Sequence, residues 1–271
     1  VRRLCLSPAL RGKLTAMLDG MNRIARFFDA DYAGYEDDLP ALEAMARRTD
    51  GPLLELGCGT GRALIPLAQK GYQVTGVDLS TEMLRIAAAK ARDAGVSQRV
   101  TLMEGDYAEA PLGGPYPFAF VLMNTFMHLE TQQRQLRALA HWREHLAPSG
   151  LLLIDVFHPD VNQLAELDGR LVWDRTWIDD QTGQTVMKWV TCRADPSEQR
   201  LYITLIYEEI SEGGEIRRTQ APYVARYLWR FEAELLLDKA GFDLEAVYGD
   251  WTFAPFESSS GRMILLARRR G

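Results

Sequence analysis

Between residues 52 and 157 the chain repeats one alternation: a short, nearly all-apolar run, then a longer stretch with apolar residues at helical spacing. The runs are 52–57, YQVTGVD (72–78), RVTLMEGD (99–106), FAFVLMN (118–124) and LLLIDVF (151–157). Strands that are apolar on both faces must be covered on both faces, and helices between them supply the cover. The alternation therefore predicts an open α/β sheet, mostly parallel and wound in both directions. The helices carry their own punctuation. Residues 7–48 read as helical with a break around Ala30–Gly34, and RALIPLAQKG stops at Gly71. Ser80 caps TEMLRIAAAKARDAG, with Glu82 in its first turn and Gly95 closing it. In TQQRQLRALAHWREHLAPSG the inward side is expected to hold Leu136, Leu139, Ala140 and Leu146, with Pro148 and Gly150 ending the element.

The period then changes. Residues 170–228 show no helical repeat and read as four strands, RLVWDRTWID, TVMKWVTCRA, RLYITLIYEEI and EIRRTQAPYVARY, joined by the turns DQTGQ, DPSEQ and EGGE. Leu201, Ile203, Leu205 and Tyr207 alternate onto one face. LWRFEAELLLDKAGF returns to helix, and DLEAVYGDW and RMILLARR supply two last strands, seven in all for the main sheet. The expected organisation is residues 1–157 as amino-terminal helices and sheet core, 158–228 as an inserted antiparallel sheet, and 229–271 as the closing helix and strands.

The bulk numbers narrow the function classes. A chain of 271 residues with 47% hydrophobic residues has enough for a large core, and a net charge of −6 disfavours a surface that tracks nucleic-acid phosphates. No apolar run approaches the roughly 20 residues of a membrane helix, and VRRLCLSPAL lacks the long apolar stretch of a secretory signal. Cys5, Cys58 and Cys192 are scattered singly, which fits a reducing, cytoplasmic setting. RRRG reads as a solvated end. The sequence leaves the oligomeric state open.

The first strand ends in ELGCGTGR, with glycines at 57, 59 and 61. Ligands of such sheets bind beyond the carboxyl ends of the strands. Glycine there lets backbone approach a ligand, and the next helix offers free N–H groups. A dinucleotide site needs G-x-G-x-x-G, whose third glycine would fall at position 62; that position is Arg62, and the glycine stands at 61. Asp78, at the end of the second strand, suits a ribose diol but does not discriminate, because dinucleotide sites use an acid there too.

LLELGCGTGR, VTGVDLS, MEGDY and LAPSGLLLIDVF, in this order and at these intervals, resemble the motifs of the class I S-adenosylmethionine-dependent methyltransferases. The insertion and GDWTFAPF…SGRMILLARR resemble a bacterial small-molecule subgroup with an added β-sheet lid. The resemblance implies a Rossmann-like seven-stranded sheet, S-adenosylmethionine as cofactor and a small-molecule acceptor methylated at nitrogen or oxygen. With the charge and the apolar runs as they are, no nucleic acid, membrane or metal is expected. The resemblance places Glu55, Gly57, Cys58, Gly59 and Gly61 at the methionyl end, and Asp78 on the ribose hydroxyls. Leu79, Met83, Gly105, Asp106 and Tyr107 fall around the adenine, and the backbone at Asn124 and Thr125 on the methionyl ammonium. Tyr32 or Tyr35, in DADYAGY, would cover the cofactor. Arg62 has two readings, a carboxylate ligand or a surface residue.

Methyl transfer is an in-line displacement that needs positioning above all, so the lack of an obvious catalytic dyad is expected. His128, after the fourth strand, is the candidate base or orienting group; its other reading is a loop-shaping histidine. HWREH has Trp142 where a hydrolytic zinc motif needs Glu, so His141 and His145 read as a solvated face. MNTF is not the NPPY-type signature that resembles adenine or glutamine-amide methylation. Trp173, Trp177, Trp189, Tyr202 and Trp251 form either a cation cage or sheet core. The competing functions are a nicotinamide-dependent oxidoreductase and a non-catalytic binding module. Glycine at 61 rather than 62 predicts that S-adenosylhomocysteine binds and NAD does not. Calorimetric titration of both decides it, and a preference for NAD would overturn the assignment.

Overall fold

A computed structural model describes residues 8–271, with side chains from Met17 onward. Cys5 and the opening VRRLCLS, to which the signal and cysteine readings partly refer, lie outside the described residues. Helices α1 (Pro8–Asp31) and α2 (Leu39–Thr49) precede strand β1 (Leu53–Leu56). Then α3 (Leu64–Gln69), β2 (Val74–Asp78), α4 (Thr81–Asp93), β3 (Val100–Glu104) and β4 (Tyr116–Val121) alternate. Next come α5 (Gln132–His145), β5 (Leu146–Phe157) and a short α6 (Val161–Glu166). The antiparallel strands are β6 (Asp168–Ile178), β7 (Thr185–Asp195), β8 (Arg200–Ile210) and β9 (Ile216–Arg226). Helix α7 (Arg230–Lys239) and strands β10 (Phe242–Tyr248) and β11 (Arg262–Arg269) close the chain.

The main sheet has seven strands in the order β10-β11-β5-β4-β1-β2-β3; β11 runs antiparallel to both neighbours, and the other pairs from β5 to β3 are parallel. Strand order reverses between β1 and β4, which opens a crevice at the carboxyl ends of these strands. The central runs are buried as expected, with Phe118, Ala119, Phe120 and Val121 all at 0% exposure, whereas β3, at the edge of the sheet, is half-buried to exposed throughout. Ser80 caps α4 by accepting the Met83 N–H at 3.2 Å, and Thr131 caps α5 by accepting the Arg134 N–H at 3.1 Å.

Three expectations need correction. The buried side of α5 is Arg134, Gln135, Ala138, Leu139 and Trp142, while Leu136 is half-buried and Ala140 exposed. Two polar residues sit inside because each has a partner: Arg134 meets Asp106, and the Gln135 amide oxygen accepts from Arg226 at 2.9 Å. His141 and His145 are not a solvated face. Their rings bond the carbonyls of Ala110 at 2.7 Å and Gly113 at 2.6 Å, fastening the loop before β4. Helix α6 was not foreseen, although Asp160 is a good cap, accepting from the N–H groups of Asn162 and Gln163.

The added sheet, β6-β7-β8-β9, lies with one face over α1 and the crevice. Leu201 joins the main core with Ala225 and Tyr227, so the two sheets share one interior. Further along β8, Tyr207 stacks on Phe27 of α1 at 4.6 Å with the rings 8° from parallel. At the end of α1 the Asp31 carboxylate, 2% exposed, accepts from Lys188 of β7 at 2.9 Å and from the Tyr207 hydroxyl at 2.9 Å. Arg175 of β6 donates to the Asp31 carbonyl. A charge buried this deeply persists only with such partners, so the end of α1 is held by three strands of the added sheet. Among the described residues no helix is long and apolar enough to cross a membrane.

Candidate functional site

The turn after β1 follows from three left-handed glycines. Gly57, Gly59 and Gly61 have φ of 76°, 52° and 77°, a region costly for residues with a Cβ. At Gly57 a Cβ would also stand 2.3 Å from Cγ2 of Thr125, so the turn passes against the loop after β4 with no room for a side chain. The N–H groups of Gly57 and Cys58 both donate to the Val77 carbonyl, at 2.8 and 3.1 Å. Cys58 itself is packed inward; a Cβ on Gly76 would lie 2.7 Å from its sulfur, and burial pushes its thiol well up. It is a packing residue.

Asp78 braces this turn. One carboxylate oxygen accepts the Gly59 N–H at 2.8 Å and the other the Ser80 N–H at 2.8 Å. Burial raises its pKa, and the backbone N–H groups around it, led by Ser80 and Gly59, pull the other way. Below the turn Glu55 is 4% exposed, with Oε2 unpartnered among the described residues. Burial pushes Glu55 up to about 8, against the pull of nearby Arg62. Arg62 is no surface residue: it grips Asp38 with two guanidinium nitrogens and donates to the Tyr35 carbonyl at 3.2 Å. The Tyr35 hydroxyl in turn accepts from the Trp251 indole at 2.8 Å.

After β3, Gly105 donates to the Asp78 carbonyl at 2.9 Å. Asp106 is held by Arg134 and accepts the Ala108 N–H at 3.0 Å. The Tyr107 hydroxyl donates to the Thr125 carbonyl at 2.9 Å, tying the β3 and β4 loops together. Asn124, with φ of 64°, accepts the Phe157 N–H through its side chain at 2.6 Å. The single 3-10 turn Thr125–His128 follows. The His128 ring lies 5.0 Å from that of Tyr223 on β9, and its buried Nδ1 has no partner among the described residues. Burial lowers its pKa from 6.5 to about 4, so the ring is neutral at neutral pH.

These loops and the added sheet enclose one cavity. Gly57, Gly59, Asp78 and Leu79 line it from the β1 and β2 ends. Met83, Tyr107, Thr125 and His128 complete that wall. Tyr35, Glu55, Cys58, Gly61, Arg62, Gly105, Asp106 and Asn124 are not on its surface; they stand behind or beside it. The opposite wall comes from α1, with Met17, Met21 and Phe28, from Tyr32, and from Leu205 and Tyr223 of the added sheet. Apart from Tyr32, the sequence reading missed these residues. Apolar helical or alternating positions look like core, and only the chain's return over the crevice shows otherwise. None of Trp173, Trp177, Trp189, Tyr202 and Trp251 lines the cavity. Trp173 is 54% exposed, and Trp189 donates to Glu208 at 2.9 Å.

Comparisons with known proteins bear on the family and the fold. The model of the methyltransferase-domain family matches residues 53–150. The chain is 27% identical over 233 residues to the cypemycin N-terminal methyltransferase of a Streptomyces species, covering 86% of this chain and 89% of that one. It is 29% identical over 144 residues to a dTDP-3-amino-3,6-dideoxy-alpha-D-glucopyranose N,N-dimethyltransferase of Streptomyces fradiae, over 51% and 54% of the two chains. The solved structure of the CcbJ methyltransferase from Streptomyces caelestis superposes with a TM-score of 0.77 at 28% identity, covering 94% of this chain and 98% of that one.

The buried titratable groups set a pH dependence of stability. Folded Glu55 keeps its proton up to about 8, whereas unfolding returns it to 4.5. Stability therefore falls as pH rises through that window, by at most about 1.4 kcal/mol per unit. His128 has the opposite sign: unfolding lets it take a proton between 6.5 and about 4, so stability falls as pH drops there. Asp78, raised by burial, shares the sign of Glu55. The two larger effects oppose each other below about 6.5 and leave Glu55 alone above it. Denaturant midpoints from pH 5 to 9 should decline between about 6.5 and 8, and Glu55→Gln should abolish that decline. An equal slope in the variant would contradict the assignment.

Proposed function

The chain is a class I S-adenosylmethionine-dependent methyltransferase, and from that premise we propose that it methylates a nitrogen of a small-molecule acceptor bound between the parallel sheet and the added one, with an oxygen acceptor as the alternative. The observation that carries the reading is a cavity lined from both sides. The glycine turn, Asp78, Tyr107 and His128 line one wall, and Leu205 and Tyr223 of the added sheet line the other. The relatives support nitrogen: one is described as an N-terminal methyltransferase and another as an N,N-dimethyltransferase of an amino sugar.

The residues fit the cofactor. Each Asp78 oxygen accepts one N–H and has a further lone pair for a ribose hydroxyl. Leu79 and Met83 offer an apolar slot for the adenine beside Tyr107, and Gly105 and Asp106 stand behind that end, Asp106 with its charge answered by Arg134. Glu55, with one oxygen unpartnered among the described residues, stands behind Gly57, Cys58, Gly59 and Gly61 and would act on the methionyl end through that turn and water, with the backbone at Asn124 and Thr125 facing the ammonium. Arg62 acts at one remove, holding Asp38 and the Tyr35 carbonyl so that the Tyr35 ring stays tied to Trp251.

When bound, S-adenosylmethionine supplies a methyl group on a sulfonium that is already a good leaving group. The protein's part is to exclude water and to align the acceptor. The added sheet and α1 roof the cavity, which shields the reacting atoms. His128, neutral at neutral pH, is the group placed to orient an acceptor N–H.

Asp78→Ala is expected to weaken S-adenosylhomocysteine binding by about 1.5–3 kcal/mol, read by calorimetry, while the protein still folds. An unchanged dissociation constant would place the ribose elsewhere. Incubation with cofactor labelled in the methyl group and a cell extract should yield labelled small amines in the mass spectrum. Label only in protein or nucleic acid would contradict the reading.

A further inference from the structure

Among the described residues the tyrosines differ in whether the hydroxyl is paired within the chain. Tyr107, Tyr116 and Tyr207 each donate to a partner within the chain: the Thr125 carbonyl, the Leu112 carbonyl and the Asp31 carboxylate, at 2.9, 2.8 and 2.9 Å. Tyr32 and Tyr223 both line the cavity, and neither hydroxyl donates a hydrogen bond among the described residues. Nδ1 of His128, buried and against the Tyr223 ring, is likewise unpartnered among them. A buried polar atom left unpaired costs about 1–3 kcal/mol, which a ligand bonding Nδ1 of His128 would recover, and the half-buried Tyr32 and Tyr223 are on the cavity surface within reach of the same ligand.

The charges around these three groups are already answered. Among the described residues the titratable side chains lining the cavity are Asp78, Tyr32, Tyr107, His128 and Tyr223. Behind Tyr223 stand Asp31 and Cys192, and Lys188 stands 5.9 Å from the Tyr32 ring. Asp31 is balanced by Lys188, and Asp78 is held by two backbone N–H groups. No carboxylate bonds His128, Tyr32 or Tyr223, so an ammonium brought to them would lose its hydration and gain no counterion. A positive sulfur at the methyl donor would repel it further. Burial holds both phenols protonated and the imidazole neutral, which makes them partners for uncharged groups.

We propose that His128, Tyr223 and Tyr32 form an acceptor subsite that takes an amine as its free base, with the amine N–H directed to Nδ1 of His128 and the apolar body of the acceptor bedded on Tyr223. Tyr223, supplied by the added sheet, is then a specificity-determining residue, and the two phenol hydroxyls donate to an oxygen neighbouring the amine. This rests on the methyltransferase reading and goes beyond it in naming the charge state of the acceptor and the residues that select it.

The experiment uses the full chain saturated with S-adenosylhomocysteine and titrated with benzylamine, benzyl alcohol or benzyltrimethylammonium. Benzylamine affinity should rise about tenfold per pH unit until the pH reaches the pKa of the amine. The quaternary cation should not bind, and benzyl alcohol should bind more weakly than the free amine. Tyr223→Ala and His128→Phe should each weaken benzylamine at least about fivefold. His128→Asn, which keeps a hydrogen-bond acceptor, should lose less, and S-adenosylhomocysteine affinity should stay in all three variants. Benzylamine affinity that does not change with pH, binding of the quaternary cation, unaffected variants, or no binding of benzylamine would each overturn the proposal. Failure of wild-type protein to bind S-adenosylhomocysteine would instead strike the methyltransferase reading itself.

Discussion

The carboxylate of Asp78 is the point on which the binding end of the molecule depends. It accepts N–H groups from Gly59 in one loop and Ser80 in the next, and so fixes the glycine turn against the start of α4. The turn can reach it only because Gly57, Gly59 and Gly61 take left-handed φ and because Gly57 passes Thr125 with no side chain between. Thr125 is in turn held by Tyr107. The loops after β1, β2, β3 and β4 are thus joined by three contacts, each between main chain and one polar or missing side chain. The reversal of strand order opens the crevice, and these contacts give its wall a fixed shape.

The roof is built on a different principle. Helix α1 and the added sheet meet through apolar stacking of Phe27 on Tyr207, and through two buried carboxylates, Asp31 shared by Lys188 and Tyr207 and Glu209 paired with Arg26. Such a pair contributes little net stability once its desolvation is counted, but it tolerates only one arrangement. That arrangement sets Tyr32, the residue after Asp31, at the cavity, and brings Tyr223 against His128. Wall and roof together leave a small set of polar atoms facing an otherwise apolar space, which suits alignment of an uncharged nucleophile with the sulfonium methyl.

Much of this was legible in the sequence, for identifiable reasons. Strands buried on both faces must be apolar throughout, so the five parallel strands and their alternation with helices could be read directly, and turn residues marked the four antiparallel strands. The three glycines and Asp78 could be read as one tight turn at a strand end, and the structure brings them together there through the Gly59 N–H bond to Asp78. Reading by apolarity failed where the interior holds paired polar groups, as at Arg134 with Asp106 and Gln135 with Arg226. It also failed across long sequence separations. Nothing local in APYVARY distinguishes Tyr223 from a core tyrosine, and nothing near Arg62 reveals that Asp38 occupies it. The aromatic residues that stood out by number, Trp173 and Tyr202, lie outside the cavity, since period-two alternation gives two faces without saying which one is covered.

The central claim is that the cavity between the two sheets is where the methyl group is handed over. A crystal structure of the complex with S-adenosylhomocysteine tests it most directly. The account predicts the ribose diol on Asp78 and the sulfur turned toward His128 and Tyr223, with the added sheet closing over it. A ligand bound elsewhere, or a sulfur that faces bulk solvent on the side away from β9, would contradict it.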